Sequence, residues 1–301
     1  MRHESVVEAE CVLPVHMANA LTGEAPFWDS RSGILWWIDI QGQRLLGFEP
    51  TTGKCSDHRL PLMPGLIAGL ESGGLLLGLE DGLYPFNPTS GLGTRVIAVE
   101  ADDARTRLND GKADSMGRLW FGTMDKSGNG EPIGKLYCLD LDGALRIVKT
   151  NLSTPNAIAF APDGKTFYFT DSRTRIIERC AYDPASGSPQ RSDALVTYDQ
   201  GEAPDGACVD ADGGIWIAVV GGARIERRLP DGSLDLTIKV PVSRPTMPVL
   251  GAADGRTLFI TSQRRFLARE QLAHEPLAGN LIAVRVSHSA PTPNLVKAKL
   301  C

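Results

Sequence analysis

Short apolar runs separated by turn residues fill this 301-residue chain, and the spacing of apolar residues that marks an amphipathic helix is almost absent. The runs are rich in β-branched and aromatic residues. Asp-Gly pairs such as Asp163-Gly164 and Asp231-Gly232 lie between them. Runs of this kind, bounded by turn-forming residues, are typical of β-strands. The pattern therefore predicts an all-β fold built from many short strands.

One sequence pattern recurs along the chain: a glycine, then two or three apolar or aromatic residues, then a small or acidic residue. The six copies occupy residues 33–39, 74–78, 117–122, 164–171, 213–218 and 255–261. Successive copies lie about 40 to 50 residues apart, which is the repeat length of a four-stranded propeller blade. Six copies predict a six-bladed β-propeller.

Several repeats are followed, at hairpin distance, by a second apolar run, as at residues 82–86, 134–140 and 279–285. Each such pair predicts the middle of a blade, and residues 5–15 are predicted to add a strand that closes the ring. We find no linker or low-complexity segment, so residues 1–301 are expected to form a single domain. The alternative is a β-sandwich whose strands share this spacing by coincidence.

Counting back from each repeat glycine identifies the residue expected to begin the innermost strand of that blade. An offset of eight residues, or nine in the first copy, gives Glu24, Asn109, Asn156, Asp205 and Met247, and in the second copy the same offset of eight from Gly73 gives Gly65. Four of these six positions carry a side-chain oxygen. In a propeller, equivalent positions of the innermost strands surround one end of the central channel, so the four side chains are expected to converge there.

Two carboxylates and two amides that converge in a channel repel one another or lack partners unless a cation joins them. An all-oxygen set suits Ca²⁺, Mg²⁺ or Mn²⁺, and none of the five histidines falls in this ring. The alternative is that these are ordinary turn sequences. Asp163, in a tetrapeptide nearly identical to residues 203–206, is itself interpreted as a hairpin-turn residue.

Charge and composition exclude several classes of function. The net charge is -5 and the pI about 5.6, which argues against a nucleic-acid-binding protein. No apolar run approaches the roughly 20 residues of a membrane helix, and the N-terminus lacks the apolar segment of a signal peptide. The six cysteines form no C-x-x-C pair, which favours a reducing, cytoplasmic location. Neither a serine-hydrolase elbow nor a phosphate-binding loop is present.

The contexts of the four polar ring residues resemble the gluconolactonase, regucalcin (senescence marker protein) and luciferin-regenerating-enzyme family. The matching motifs are Gly-Glu-x-Pro at 23–26, Arg-x-Asn-Asp-Gly-Lys-x-Asp at 107–114, Gly-Arg-Leu-Trp-Phe-Gly-Thr-Met at 117–124, Asn156 with Pro-Asp-Gly-Lys at 162–165, and Pro-Asp-Gly at 204–206. They extend from the first predicted blade to the fifth, and their combination is far more specific than any one of them.

The resemblance implies a propeller that holds one divalent metal ion in its channel. It implies that Glu24, Asn156 and Asp205 ligate the ion and that Asn109 ligates either the ion or the substrate. Arg107 and Asn109 would contact the sugar hydroxyls or the carbonyl group. Members commonly hydrolyse the internal esters of sugar acids, so a sugar lactone is the expected small-molecule partner. The metal (Ca, Mg, Mn, Zn or Fe), the sugar and the oligomeric state stay open.

The chain departs from the family pattern in two places. Ser127 stands where some members carry a substrate-binding glutamate, and Asp125 is the nearest acid. Residues 250–252 read Leu-Gly-Ala where Phe-Gly-Gly is usual. The first departure bears on substrate identity and the second on packing.

A mechanism follows from this set of residues. The metal polarises the lactone carbonyl, and Asp205 is the candidate general base for the attacking water. Two other functions are considered. One is an esterase or phosphotriesterase on the same scaffold, which Leu66 and Met247 near the ring would suit. The other is a non-catalytic interaction propeller that binds a structural ion.

Overall fold

The computed structural model describes residues 5–300, which form six β-sheets. Two strands, β1 (Ser5–Val7) and β2 (Leu13–His16), come first and flank a 3-10 turn at Ala9–Cys11. The first sheet comprises β3 (Gly23–Asp29), β4 (Ile34–Asp39), β5 (Arg44–Glu49) and β6 (Lys54–Arg59). The second comprises β7 (Leu66–Gly69), β8 (Leu75–Leu79), β9 (Gly82–Asn87), β10 (Gly91–Leu92) and β11 (Ile97–Ala98).

The remaining sheets repeat the same up-and-down order. The third comprises β12 (Thr106–Ala113), β13 (Leu119–Asp125), β14 (Gly134–Leu139) and β15 (Leu145–Leu152). The fourth comprises β16 (Pro155–Phe160), β17 (Thr166–Asp171), β18 (Ile176–Asp183) and β19 (Ser188–Thr197), with a 3-10 turn at Ser172–Thr174. The fifth comprises β20 (Ala203–Val209), β21 (Ile215–Val220), β22 (Arg224–Arg228) and β23 (Leu234–Lys239). The sixth comprises β24 (Pro245–Gly251), β25 (Thr257–Ser262) and β26 (Leu281–Arg285) together with β2, and the short helix α1 (Arg269–His274) lies in the connection between β25 and β26.

The six sheets are the blades of a β-propeller, so the predicted all-β, six-bladed fold is confirmed and the β-sandwich alternative is wrong. Each sequence repeat contributes the second strand of its blade. The apolar runs at 82–86, 134–140 and 279–285 contribute the third strands of blades two, three and six. The placing of residues 1–301 in one domain stays a prediction.

The start of the described chain contributes to two blades. Strand β2 pairs antiparallel with β26, with Leu13 opposite Ala283, and so completes the sixth blade. Strand β1 pairs in parallel with β23, with Ser5 opposite Leu236, and adds a fifth strand to the neighbouring blade. The predicted closing strand is therefore present, and the same segment also covers the edge of blade five.

Apolar and aromatic side chains fill the spaces between the blades. Trp37, Trp120 and Trp216 lie in the repeat strands and are fully buried. Between blades three and four, the Trp120 ring lies 5.2 Å from Phe167 and 5.8 Å from Tyr182, measured between ring centroids. Such aromatic pairs add stability beyond the apolar area that they bury.

Buried aspartates anchor the first hairpins of blades three and five. Asp210 accepts hydrogen bonds from Gly214 N (3.0 Å), Trp216 Nε1 (2.8 Å) and Arg227 Nε (2.7 Å). Asp114 plays the same part, with Arg118 and Tyr182 as its side-chain partners. A buried carboxylate is tolerated only when it is paired and hydrogen-bonded, and these partners meet that requirement.

Two further features of the fold concern membrane-spanning helices and the cysteines. No helix within residues 5–300 is long and apolar enough to cross a membrane. The cysteines at 11, 55, 138, 180 and 208 are free thiols. Cys138 and Cys180 are buried, whereas Cys11 and Cys55 are exposed.

The Asp210 cluster leads to a stability prediction. Asp210→Ala removes one of the two carboxylate partners of the buried Arg227 guanidinium, the other being Asp235, and also removes the acceptor of Gly214 N and Trp216 Nε1. We expect it to lower the free energy of unfolding by roughly 3 kcal/mol or more. Asp254→Ala removes the exposed ion pair with Arg285 and should change it far less. Urea unfolding followed by tryptophan fluorescence measures both variants. Equal losses in the two would contradict this account of the hairpin anchor.

Candidate metal centre in the central channel

The innermost strands of five blades share an irregularity close to the predicted ring positions. Their pairing register shifts between Glu24 and Phe27, Asn109 and Gly111, Asn156 and Ala159, Pro204 and Ala207, and Pro245 and Met247. Such β-bulges add a residue to one strand and redirect a side chain. Ala25 and Ala157, which follow two of the ring residues, have left-handed backbone conformations with φ of 47° and 49°. The bulges thus reorient the chain where the polar side chains meet the channel.

All five residues predicted to form the site line one cavity of about 240 Å³: Glu24, Arg107, Asn109, Asn156 and Asp205. One detail of the prediction is wrong, because the ring residues do not begin their strands. Asn109 is the fourth residue of β12 and Asp205 the third of β20. The inner strands start earlier than the count implies, and the bulge lies within each strand.

A chain of hydrogen bonds links three blades at the cavity wall. Arg107 donates to Asn109 Oδ1 (2.9 Å), and Asn109 Nδ2 donates to Asn156 Oδ1 (2.7 Å). Asn156 Nδ2 then donates to Asp205 Oδ1 (2.7 Å). Glu24, from the first blade, accepts a hydrogen bond of 2.6 Å from Ala25 N at Oε2. These donors occupy Oδ1 of Asn109, Asn156 and Asp205 and Oε2 of Glu24.

The two carboxylates each keep one oxygen that no described donor satisfies. Glu24 Oε1 and Asp205 Oδ2 accept no hydrogen bond from residues 5–300. Burial, and then the neighbouring charge of Asp205, raises the pKa of Glu24 well above its usual range. Burial, and then the charge of Asp110, raises the pKa of Asp205 to about 7. A cation between the two carboxylates would favour their ionised forms and remove this penalty.

The donor set fits a hard divalent cation. No three Asp, Glu, His or Cys side chains converge on one point within the described chain. A cation here would therefore take amide and water oxygens in addition to the two carboxylates, as Ca²⁺, Mg²⁺ and Mn²⁺ readily do. Asn156 Oδ1 accepts one hydrogen bond and retains a second lone pair for such a ligand role.

Two ring positions carry no ligand, and the packing explains why. A Cβ atom at Gly65 would lie 2.1 Å from Leu108 O, so no larger residue fits there. Met247 is fully buried against Gly206, where an added Cβ would lie 2.4 Å from Met247 Cγ. The Met247 sulfur lies 3.8 Å from Lys112 Nζ, and Lys112 lines a separate cavity of about 150 Å³. Met247 therefore lies between Gly206 and Lys112, and the polar cavity and the smaller one share no lining residue.

Two polar residues near the cavity, Asp110 and Ser172, are not predicted by the repeat register. Asp110 is buried, and one of its oxygens, Oδ1, has no hydrogen-bond partner within the described chain. It lies in the Asn-Asp-Gly motif directly after Asn109, but the repeat register does not select it. Ser172 accepts from Asn156 Nδ2 (2.9 Å) and donates to Pro204 O (2.7 Å). Its position directly after the repeat strand β17 was the available signal.

The loop after β13 contains Ser127, the residue at the position where some family members carry a substrate-binding glutamate. Ser127 Oγ donates to Asp125, which also accepts from Gly130 N at 3.1 Å, so this pair stabilises the loop. The side chain that this loop contributes to the cavity is Lys126, which pairs with Glu80 from the second blade. The positively charged side chain of Lys126 therefore reaches the cavity next to the position at which some family members carry a glutamate.

Comparison with known sequences identifies the family. Residues 22–264 match the sequence profile described as the SMP-30/gluconolactonase/LRE-like region. The chain belongs to this family. The resemblance noted from the ring motifs is therefore confirmed, and the matched region begins just before Glu24 and ends within the loop after β25.

Relatives of this family member include two named enzymes and a solved structure. It is 34% identical to a 6-deoxy-6-sulfogluconolactonase from Pseudomonas putida, over 89% of this chain and 92% of that protein. It is 35% identical to an L-arabinolactonase from Azospirillum brasilense, over 89% of both. The structure of regucalcin from Agrobacterium tumefaciens, described as calcium-binding, superposes with a TM-score of 0.91 at 28% identity, covering 97% of this chain and 99% of that one.

The raised carboxyl pKa values predict how the stability of the metal-free protein changes with pH. Because the folded pKa of Asp205 lies near 7 and the unfolded value near 4, the folded chain keeps a proton that the unfolded chain releases. We therefore expect the free energy of unfolding to fall as pH rises from about 5 to 8. Urea titrations in EDTA measure this slope. Asp205→Asn should flatten it, and an unchanged slope in that variant would contradict the prediction.

Proposed function

We propose that this chain hydrolyses a sugar lactone to the sugar acid, with a divalent cation held by Glu24, Asn156 and Asp205. The observation that carries the proposal is the convergence of these three residues with Arg107 and Asn109 in one buried cavity. The two lactonases similar to this chain bear out the expectation of an enzyme of the lactonase class. A small-molecule substrate and a reducing, cytoplasmic location belong to the same proposal.

The cation would supply Lewis acidity toward the lactone carbonyl when it is bound. Asp205 is assigned the general-base role because its Oδ2 accepts no hydrogen bond from the described residues. That oxygen is available to accept a proton from water. Its other oxygen is held by Asn156, which fixes the orientation of the carboxylate and so the direction from which a water is deprotonated.

Arg107 is assigned to substrate binding. Its NH1 group donates to Leu108 O (2.8 Å) and Asn109 Oδ1 (2.9 Å), which leaves its other donors for a ligand. Burial, together with the charge of nearby Arg265, lowers the pKa of Arg107 to about 10, so the group is still a cation at neutral pH. Asn109 is assigned either to the ion or to the substrate, since its amide oxygen already accepts from Arg107.

The proposed base is tested by substitution. Asp205→Asn keeps the shape and removes the proton acceptor, so we expect kcat/KM to fall by about 10² to 10⁴. A pH-stat assay with five- and six-carbon aldonolactones measures it. Asp163→Asn is the matched control, because this residue stands in a nearly identical Ala-Pro-Asp-Gly sequence but lies in the exposed turn before β17. Full activity of Asp205→Asn would reject the assignment.

Metal dependence has its own test. Chelation should abolish turnover, and adding back Ca²⁺, Mg²⁺ or Mn²⁺ one at a time should restore it. Glu24→Gln should raise the metal concentration needed for half-maximal activity, because a neutral amide binds a hard cation more weakly than a carboxylate does. Turnover that persists unchanged after chelation would contradict the proposed role of the cation.

The two alternative functions predict different results in the same assay. A non-catalytic interaction propeller would turn over no lactone in any metal. An esterase or phosphotriesterase would prefer aryl esters or phosphotriesters, and it would need an apolar cavity mouth. The cavity has apolar lining residues such as Met124, Val220 and Phe266, but four cationic side chains and two carboxylates line it as well, which favours a polar substrate.

A further inference from the structure

The cavity contains more positive charge than lactone hydrolysis requires. Four cationic side chains line it: Arg107, Lys126, Arg244 and Arg265. Lys126 is neutralised by its ion pair with Glu80. The other three have no carboxylate within ion-pair distance in residues 5–300. Of these three, Arg107 is buried and hydrogen-bonded to the ring residues.

Arg244 and Arg265 flank a single aromatic ring. The guanidinium carbons lie 5.6 Å and 4.5 Å from the centroid of Phe266, which is 65% exposed. Phe266 has a left-handed backbone conformation with φ of 70° and therefore adopts it at a steric cost. The exposure of Phe266 and the burial of Arg107 place the guanidinium pair toward the mouth of the cavity.

The donors of this pair are unused. Neither the Arg244 nor the Arg265 side chain donates a hydrogen bond to any described residue, and Arg244 Nε is both buried and unpartnered. A cation–π contact satisfies none of the N–H groups, and two guanidinium groups near one ring repel each other. A buried, unpartnered donor costs free energy unless a ligand satisfies it.

The carboxylates of the cavity do not compensate for this charge. In the proposed function, Glu24 and Asp205 neutralise the divalent cation. Glu275, which does not line the cavity, also acts on the charge of Arg244 but forms no ion pair with it. Within residues 5–300, Arg107, Arg244 and Arg265 therefore have no paired carboxylate in a confined space, where low dielectric strengthens their attraction for an anion. A guanidinium fork matches the oxygens of phosphate, sulfonate and carboxylate groups through paired hydrogen bonds.

We propose that Arg244 and Arg265 form an anion subsite at the cavity mouth, and that the lactone substrate carries an anionic group at the end remote from its carbonyl. This inference rests on the proposed lactonase function, which it narrows to sugar lactones bearing a terminal phosphate, sulfonate or carboxylate. Arg107 and the cation take the lactone end, while Arg244 and Arg265 take the charged end.

The subsite is tested by binding, without any need for turnover. Isothermal titration in excess Ca²⁺ compares gluconate with its 6-phosphate, its 6-deoxy-6-sulfonate analogue and glucarate. Each of the last three carries a second anionic group at the end remote from the first carboxylate, and we call them the charged acids. We expect at least one of them to bind about 10- to 100-fold more tightly than gluconate. The acid that binds most tightly identifies the anionic group. Equal affinities for all four acids would overturn the proposal.

Substitutions locate the effect. Arg265→Gln and Arg244→Gln should each remove most of the preference for the charged acid and leave gluconate binding within about threefold. Arg264→Gln is the matched control: it makes the same change of charge one residue away, where the side chain donates to Asn19 Oδ1 at 3.0 Å and does not line the cavity. This control should keep the full preference. An equal loss in all three variants would overturn the subsite, and thermal unfolding verifies that each variant is folded.

Turnover of the corresponding lactones separates the two proposals. A protein that prefers charged acids but hydrolyses no lactone in any divalent metal would refute the proposed function and retain the subsite. A protein that hydrolyses neutral and charged lactones with equal kcat/KM, and whose rates do not change with salt, would refute only the subsite. The expected result is a preference for the charged lactone that weakens as ionic strength rises.

Discussion

The structure depends at its centre on two half-buried carboxylates that share one cavity. Glu24 and Asp205 arrive from the first and fifth blades, and each keeps an oxygen without a described donor. Their mutual repulsion and their burial oppose ionisation. Stability alone would favour apolar residues at these positions, as Met247 illustrates at the equivalent position of blade six. The cost of keeping the two acids is therefore understandable if their function is to hold a cation.

Backbone irregularity accompanies this centre: inner strands bulge beside the ring positions, and Ala25 and Ala157 have left-handed conformations there. Around it, aromatic rings pack between blades three and four, and the buried Asp114 and Asp210 anchor hairpins of blades three and five. A rigid periphery thus holds side chains from separate blades in fixed relative positions, which a catalytic site requires.

How much the sequence predicts depends on whether a residue belongs to the repeat. The repeat register alone predicts that Glu24, Asn109, Asn156 and Asp205 converge, and all four line one cavity. It also distinguished Asp205 from Asp163, although the two have nearly identical neighbours. Bulges were invisible in this pattern, because an inserted residue leaves no mark in the spacing of apolar runs. Arg244 and Arg265 were missed because they lie in connections whose conformation no periodic pattern specifies.

The position of Met247 bears on how a substrate would enter the cavity and how its product would leave. Its buried side chain lies against Gly206 and near Lys112, and the polar cavity shares no lining residue with the smaller cavity that Lys112 lines. In the proposed function, the substrate and its product would then share the opening that Arg244 and Arg265 flank. Ring opening of a lactone creates a new carboxylate. Release of that negatively charged product past the two guanidinium groups would be a step that limits the proposed turnover.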